Sequence, residues 1–191
     1  MIEILESDVL RYLGYRQNPA DERVLAHIKQ MSDEIGIIVT PKSIYRVWGC
    51  QIESQTVTFG GVTIHSKHLS RHLKDCSKVA VFAATLGARV DTIIRRYSVS
   101  EMDKAVVADA VCSAMTEALC NNVVWEIKGE SEVLKLHPTT RFSPGFGDFD
   151  IVHQRDILAL LDCQKRIGLT LTDSNMLCPT KSVTAVVGFR G

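Results

Sequence analysis

Lys78-Val79-Ala80-Val81-Phe82-Ala83-Ala84 is the run on which the layout of this chain turns. After its lysine it is wholly apolar, so it reads as a buried strand. Thr85-Leu86-Gly87 ends it, and a helix is expected to start near Ala88. A longer helix follows. Ser100-Glu101-Met102-Asp103 resembles a capping box. Beyond it Val107, Ala110, Val111, Ala114, Met115, Ala118 and Leu119 recur at helical spacing. The alanines and cysteines of this helix suit close packing on a sheet.

Working outward, two helices are expected near the N-terminus, over 7–13 and 21–35. In the second, Val24, Ile28, Met31 and Ile35 share a face. Asn18-Pro19 breaks the chain before it, and Pro19 or Ala20 stands where a helix can begin. Residues 45–52 have strand character. Thr56–Phe59 and Val62–His65 flank Gly60-Gly61, a two-residue hairpin turn. Ser66 is placed to cap a short helix through Leu73. Towards the C-terminus, 138–150 reads as a loop and 153–167 as a helix that uses Ile157, Leu158, Leu160 and Leu161, with Gly168 as its stop. Residues 169–172 and 182–189 read as strands. The expected fold is α+β, a central twisted mixed or antiparallel sheet flanked by helices; α/β of non-Rossmann type is the neighbouring alternative. Residues 1–191 are read as one domain.

Composition sets bounds on function. The chain has 191 residues, 46% hydrophobic and 23% charged, with formal net charge zero. That balance offers no broad electrostatic footprint for nucleic acid or anionic membrane. Residues 105–124 are weakly charged, but Asp109, Glu117 and two asparagines make them too polar for a membrane span. Glu3, Glu6 and Asp8 interrupt any signal-peptide pattern. The six cysteines form no C-x-x-C pair, so reduced thiols and a cytoplasmic location are expected.

The chemistry concentrates in Arg141-Phe142-Ser143-Pro144-Gly145-Phe146-Gly147-Asp148-Phe149. Pro144 fixes φ, and Gly145 and Gly147 permit backbone shapes closed to other residues. Such a loop can present N–H and C=O groups directly to a ligand. Arg141 can grip a carboxylate through paired hydrogen bonds. Phe142, Phe146 and Phe149 can stack on a flat ring or cover a cation. This inventory suits an amino acid joined to a nucleoside; the plainer reading is a surface loop anchored to the core by its aromatics.

Other signals are set aside. In His65-x-x-His68-x-x-x-His72, His68 and His72 have a spacing that could serve zinc, but no acidic or Cys ligand stands at a matching short spacing and Lys67, Arg71 and Lys74 are interleaved, so a basic solvated face is expected. Cys112 and Cys120 read as small buried hydrophobes, and Cys178 as the exposed thiol. Gly145-Phe146-Gly147 lacks the third glycine of a dinucleotide fingerprint. Asp148 and Asp150 are expected to cap the helix that follows them.

The segment 141–149, together with Gln154-Arg155-Asp156-Ile157-Leu158-Ala159-Leu160-Leu161, Arg166-Ile167-Gly168-Leu169-Thr170 and Pro179-Thr180-Lys181-Ser182-Val183, closely resembles the activation domain of cobalamin-dependent methionine synthase. That family carries Arg-x-x-x-Gly-Tyr in a loop, then a helix, then Gly-x-x-Leu-Thr and Pro-x-x-Ser-Val strands. Phe82 to Gly87 also resembles its Thr-x-Gly turn. The resemblance is close over 78–189 and loose over 1–75.

What the resemblance implies is a reactivation module. It would bind S-adenosylmethionine and present the methyl group for reductive methylation of cobalamin, the cobalamin being supplied by the partner chain. Arg141 would take the methionine carboxylate. Backbone around Ser143 and Gly145 would hold the amino acid and adenosine. Phe146 stands where the family has Tyr, keeping the ring and losing the hydroxyl. In the long helix the family's ligand-contacting Glu aligns with Ser113, and Glu117 lies one turn further on. The implied partners are a shortened cobalamin-dependent methionine synthase or another corrinoid protein, with flavodoxin or another reductase as electron source. The alternative is a subunit that docks on a corrinoid protein without using S-adenosylmethionine.

Overall fold

The computed structural model describes residues 2–15 and 19–191. In chain order the elements are α1 (Glu6–Tyr12), α2 (Glu22–Ile38), β1 (Lys42–Gly49), β2 (Gln51–Glu53), β3 (Thr56–Phe59), β4 (Val62–His65), α3 (Lys67–His72), β5 (Cys76–Thr85), α4 (Arg89–Ser100), α5 (Met102–Val133), β6 (His137–Pro138), a 3-10 turn (Ile151–His153), α6 (Gln154–Leu161), α7 (Cys163–Ile167), β7 (Thr170–Leu171), β8 (Leu177–Cys178) and β9 (Ser182–Arg190). The central sheet has the order β1-β5-β9-β6, and every pairing in it is antiparallel. The fold is α+β.

β5 is buried on both faces, as its unbroken apolar run requires. Successive side chains of a strand point to opposite faces. Ala80, Phe82 and Ala84 therefore enter one core with Ala185, Val187 and Phe189 of β9 and the helices α1, α2, α4 and α5. Val79, Val81 and Ala83 enter a second core with Val186 and residues of β3, β4, α3, α6 and α7. The pairing Phe82↔Ala185 and Val81↔Val186 keeps both strands in phase. α5 is the spine of the first core. Its 32 residues span about 48 Å, and the small side chains Ala105, Ala108, Ala110, Cys112 and Ala114 are buried along it. The smaller sheet β2-β3-β4 turns at Gly60-Gly61, both with positive φ, as the hairpin reading anticipates.

Several boundaries differ from the sequence reading, each for a physical reason. The strand expected over 45–52 is two strands in different sheets: the amide of Cys50 bonds the carbonyl of Ser77, and the chain then leaves for β2. α2 begins at Glu22, capped by the Asp21 carboxylate on the Val24 amide, and continues to Ile38. The expected break at Asn18 lies outside the described residues. Ser100 caps nothing. It ends α4, its hydroxyl donates to the Arg96 carbonyl, and α5 starts after Glu101 with no side-chain cap. The helix expected over 153–167 is interrupted at Asp162, which adopts a left-handed conformation between α6 and α7. The segment 169–172 pairs through β7 with β8, away from the central sheet.

Candidate functional site

The stretch 138–142 is less loop-like than its composition suggests. β6 pairs with the end of β9. Thr139 then donates its amide to the Gly188 carbonyl (2.8 Å) and accepts the Gly188 amide on its hydroxyl (2.9 Å). Phe142 and Val186 exchange two backbone bonds of 2.9 Å. This extended run sends neighbouring side chains to opposite sides of the sheet edge. Phe142 goes towards α3 and α6, stacking on His72 at 5.0 Å and on Phe149 at 6.2 Å between ring centroids. Arg141 goes towards α5.

There it meets Glu117. Arg141 Nη2 donates to Oε1 at 2.5 Å and Oε2 at 2.6 Å of that carboxylate. Both side chains are about one-third exposed. Burial works against the charge of Arg141, but the Glu117 carboxylate more than offsets it and the guanidinium pKa is raised. The other terminal nitrogen, Nη1, is buried and has no hydrogen-bond partner among the described residues. An unpaired buried donor costs about 1–3 kcal/mol. It is the one such side-chain atom among the described residues.

Beside this pair runs a groove of about 270 Å³ between α5 and the start of β9, lined by Tyr12, Ser113, Thr116, Glu117, Lys181 and Val183 among others. Ser113 and Glu117 lie one turn apart on α5 and both line it. Ser113 donates to the Asp109 carbonyl (2.9 Å) and accepts from Lys181 Nζ (2.9 Å). Lys181 also reaches the Asp109 carboxylate at 2.8 Å. Ser113 thus fixes a wall of the groove, whereas Glu117 is the member of the pair that meets Arg141.

The loop 143–149 closes on itself through Gly145 N–H to Phe149 O (2.7 Å) and Phe146 N–H to Ser143 O (3.2 Å). Gly145 sits at φ +94 and Gly147 at φ +58. A Cβ on Gly145 would touch nothing within 4 Å, so its backbone is open to approach. A Cβ on Gly147 would collide with the His68 imidazole. Phe149 is wholly buried, while Phe146 is 64% exposed, 6.5 Å from the Phe142 ring. Two of the three aromatics therefore anchor the loop, and only Phe146 is free to meet a flat neighbour.

Two expectations are corrected here. Asp148 does not cap the following helix. It caps α3, accepting the Ser66 hydroxyl (2.5 Å) and the amides of Lys67 (2.9 Å) and His68 (3.0 Å). Those donors hold its carboxyl down at about 2. Asp150 does cap the turn that follows, through the Val152 amide. The α3 histidines are not simply a solvated face. His68 Nδ1 accepts the Asp148 amide at 3.2 Å, and His72 bonds the Thr140 carbonyl at 2.7 Å. Both clamp the loop onto α3. No cluster of three or more His, Cys, Asp or Glu placed to hold a metal occurs among the described residues.

The remaining thiols lie as their sequence context suggests. Cys112 and Cys120 are buried, and burial pushes them up to about 12 and about 11. Cys178 is exposed. Among the described residues no helix is long and apolar enough to cross a membrane. Tyr12 and Lys181 are the site residues that sequence reasoning missed; one comes from α1 and the other from the start of β9, and no local pattern joins them to Arg141.

A search of curated proteins returns no match. Among solved structures the chain is similar to one described as the crystal structure of the MetH reactivation domain bound to AdoHcy, at 15% identity and a TM-score of 0.69. The match covers 87% of this chain and 64% of that one, so this chain spans less than two thirds of its length. At that identity the likeness establishes the fold. The family model described as vitamin B12 dependent methionine synthase, activation domain, matches residues 67–189, well over half of the sequence. α5, the start of β9 and Arg141 all fall in that stretch, and the chain belongs to the family of vitamin B12 dependent methionine synthase activation domains.

Proposed function

We propose that this chain is a reactivation module. It binds S-adenosylmethionine and presents the methyl group to cobalamin held by a separate chain, a shortened cobalamin-dependent methionine synthase or another corrinoid protein. The observation that carries this reading is the buried Arg141 Nη1 left without a partner beside a carboxylate already in place. An amino acid brings both complementary charges. Its carboxylate would pair with the Arg141 guanidinium once Nη1 turns outward, and its ammonium would share the Glu117 oxygens. The backbone around Ser143 and Gly145 would hold the rest of the ligand, and Ser113 keeps the groove wall in position through Lys181. Phe146, exposed at the loop tip, is the ring offered to the face where the partner docks. When bound, the two cofactors supply the methyl group and the cobalt that receives it; flavodoxin or another reductase would supply the electron.

Titration calorimetry with S-adenosylmethionine tests the reading. Binding is expected in the wild type and is expected to be lost in Arg141→Ala with the fold retained. Absence of heat at millimolar ligand, with and without a corrinoid protein, refutes it. One observation favours the second reading, a docking subunit that does not use S-adenosylmethionine: Arg141 is already paired with Glu117 inside the protein. Recovery of a corrinoid protein in a pull-down, together with silent calorimetry, selects that alternative.

A further inference from the structure

One wall of the groove comes from outside the stretch that the family model matches. Tyr12 is the last residue of α1, and its side chain lines the groove with Thr116, Glu117 and Val183. The ring is not on a loose end. Val9 of the same helix is wholly buried, and Leu10 and Leu13 pack on the core that α5 organises. Even so, Tyr12 is 45% exposed, and its hydroxyl bonds to none of the described residues. The Arg11 guanidinium lies over the ring, 5.4 Å from its centroid. A seated helix thus delivers an aromatic surface to a groove that Glu117, the partner of Arg141, also lines.

Aromatic rings of this kind stack well on flat heterocycles, because every base has a π-face. Burial and the Glu117 carboxylate push the Tyr12 phenol up, so the ring stays uncharged. We propose that Tyr12 is a specificity-determining residue: its ring seats the heteroaromatic end of the ligand while Arg141 and Glu117 take the amino-acid end, so the groove selects an amino acid joined to a nucleoside over a free amino acid. This rests on the reading that the chain binds S-adenosylmethionine.

The test is calorimetry with S-adenosylmethionine, S-adenosylhomocysteine and methionine on the wild type, Tyr12→Ala and Tyr12→Phe, with thermal melts to show that each variant folds. Loss of one stacked base corresponds to about ten- to hundredfold in affinity. Tyr12→Ala is expected to weaken both nucleoside ligands by that factor and to leave any methionine affinity within about threefold. Tyr12→Phe keeps the ring and is expected to stay within about threefold for all ligands. Three results overturn the seat alone: a Tyr12→Ala variant that binds S-adenosylmethionine like the wild type, one that loses methionine equally, or a Tyr12→Phe variant as weak as Tyr12→Ala. A wild type that binds none of the three ligands removes the parent reading, and the seat with it.

Discussion

Replacing Gly147 by alanine tests how firmly the loop is fastened to α3. Gly147 sits at φ +58, where a residue with a Cβ loses about 1 kcal/mol or more. The added Cβ would land on His68 Nδ1, with Cγ at 2.9 Å and the His68 Cβ at 3.2 Å. The imidazole must swing away, and the bond it accepts from the Asp148 amide goes with it. That bond contributes about 0.5–1.5 kcal/mol. The sum is about 2–3 kcal/mol, which for a chain of this size lowers Tm by roughly 5–10 °C. Urea unfolding should show a lower midpoint with an unchanged slope. The parts can be separated by a double-mutant cycle. His68→Ala removes the ring's part of the collision but not the backbone cost, so Gly147→Ala should cost about 1 kcal/mol less in that background. A Gly147→Ala variant within about 0.5 kcal/mol of the wild type, or a cost that does not change when His68 is shortened, refutes the reasoning.

Two further outcomes follow from the same packing. The Asp148 carboxyl, held at about 2 chiefly by the Ser66 hydroxyl and the His68 and Lys67 amides, has a folded pKa below its ordinary value. Its contribution is therefore present above the usual carboxylate range and lost as pH falls through about 2; the Lys67 and His68 amide resonances should hold steady down to pH 4 and move with a midpoint near 2, and a midpoint near 4 would contradict the capping role. Thiol titration with an aromatic disulfide should find one fast group, Cys178, because Cys50 and Cys120 are pushed up to about 11, Cys112 and Cys163 to about 12, and the buried Cys76 is raised as well; a second thiol of equal speed in the native protein would speak against this burial.

What the sequence discloses is what neighbours along the chain determine. β5 is legible because a run apolar at every position needs cover on both faces. The Gly60-Gly61 turn, the Ser66 cap and the small-residue face of α5 are equally local. Asp162 is not legible: an aspartate in a left-handed conformation splits a helix whose apolar pattern runs on through it. Ser100 satisfies the pattern of a cap and yet bonds backwards into α4, because two helices abut there without a loop. The site is harder still. Arg141 as a carboxylate binder follows from its chemistry, but its meeting with Glu117 depends on how α5 is rotated against the edge of β9. Asp148 and Ser66 are 82 residues apart, so choosing between two helices to cap needed the fold.

The run that delivers Arg141 is also the outer seam of the central sheet. Along that border of β9, Gly188 and Val186 spend their main-chain polar groups on Thr139 and Phe142. Freed of that cover, the border would be a template for a strand of another molecule. Variants that unfasten this run would therefore be prone to clump, and solution mass should be measured before a lost heat signal is ascribed to the ligand.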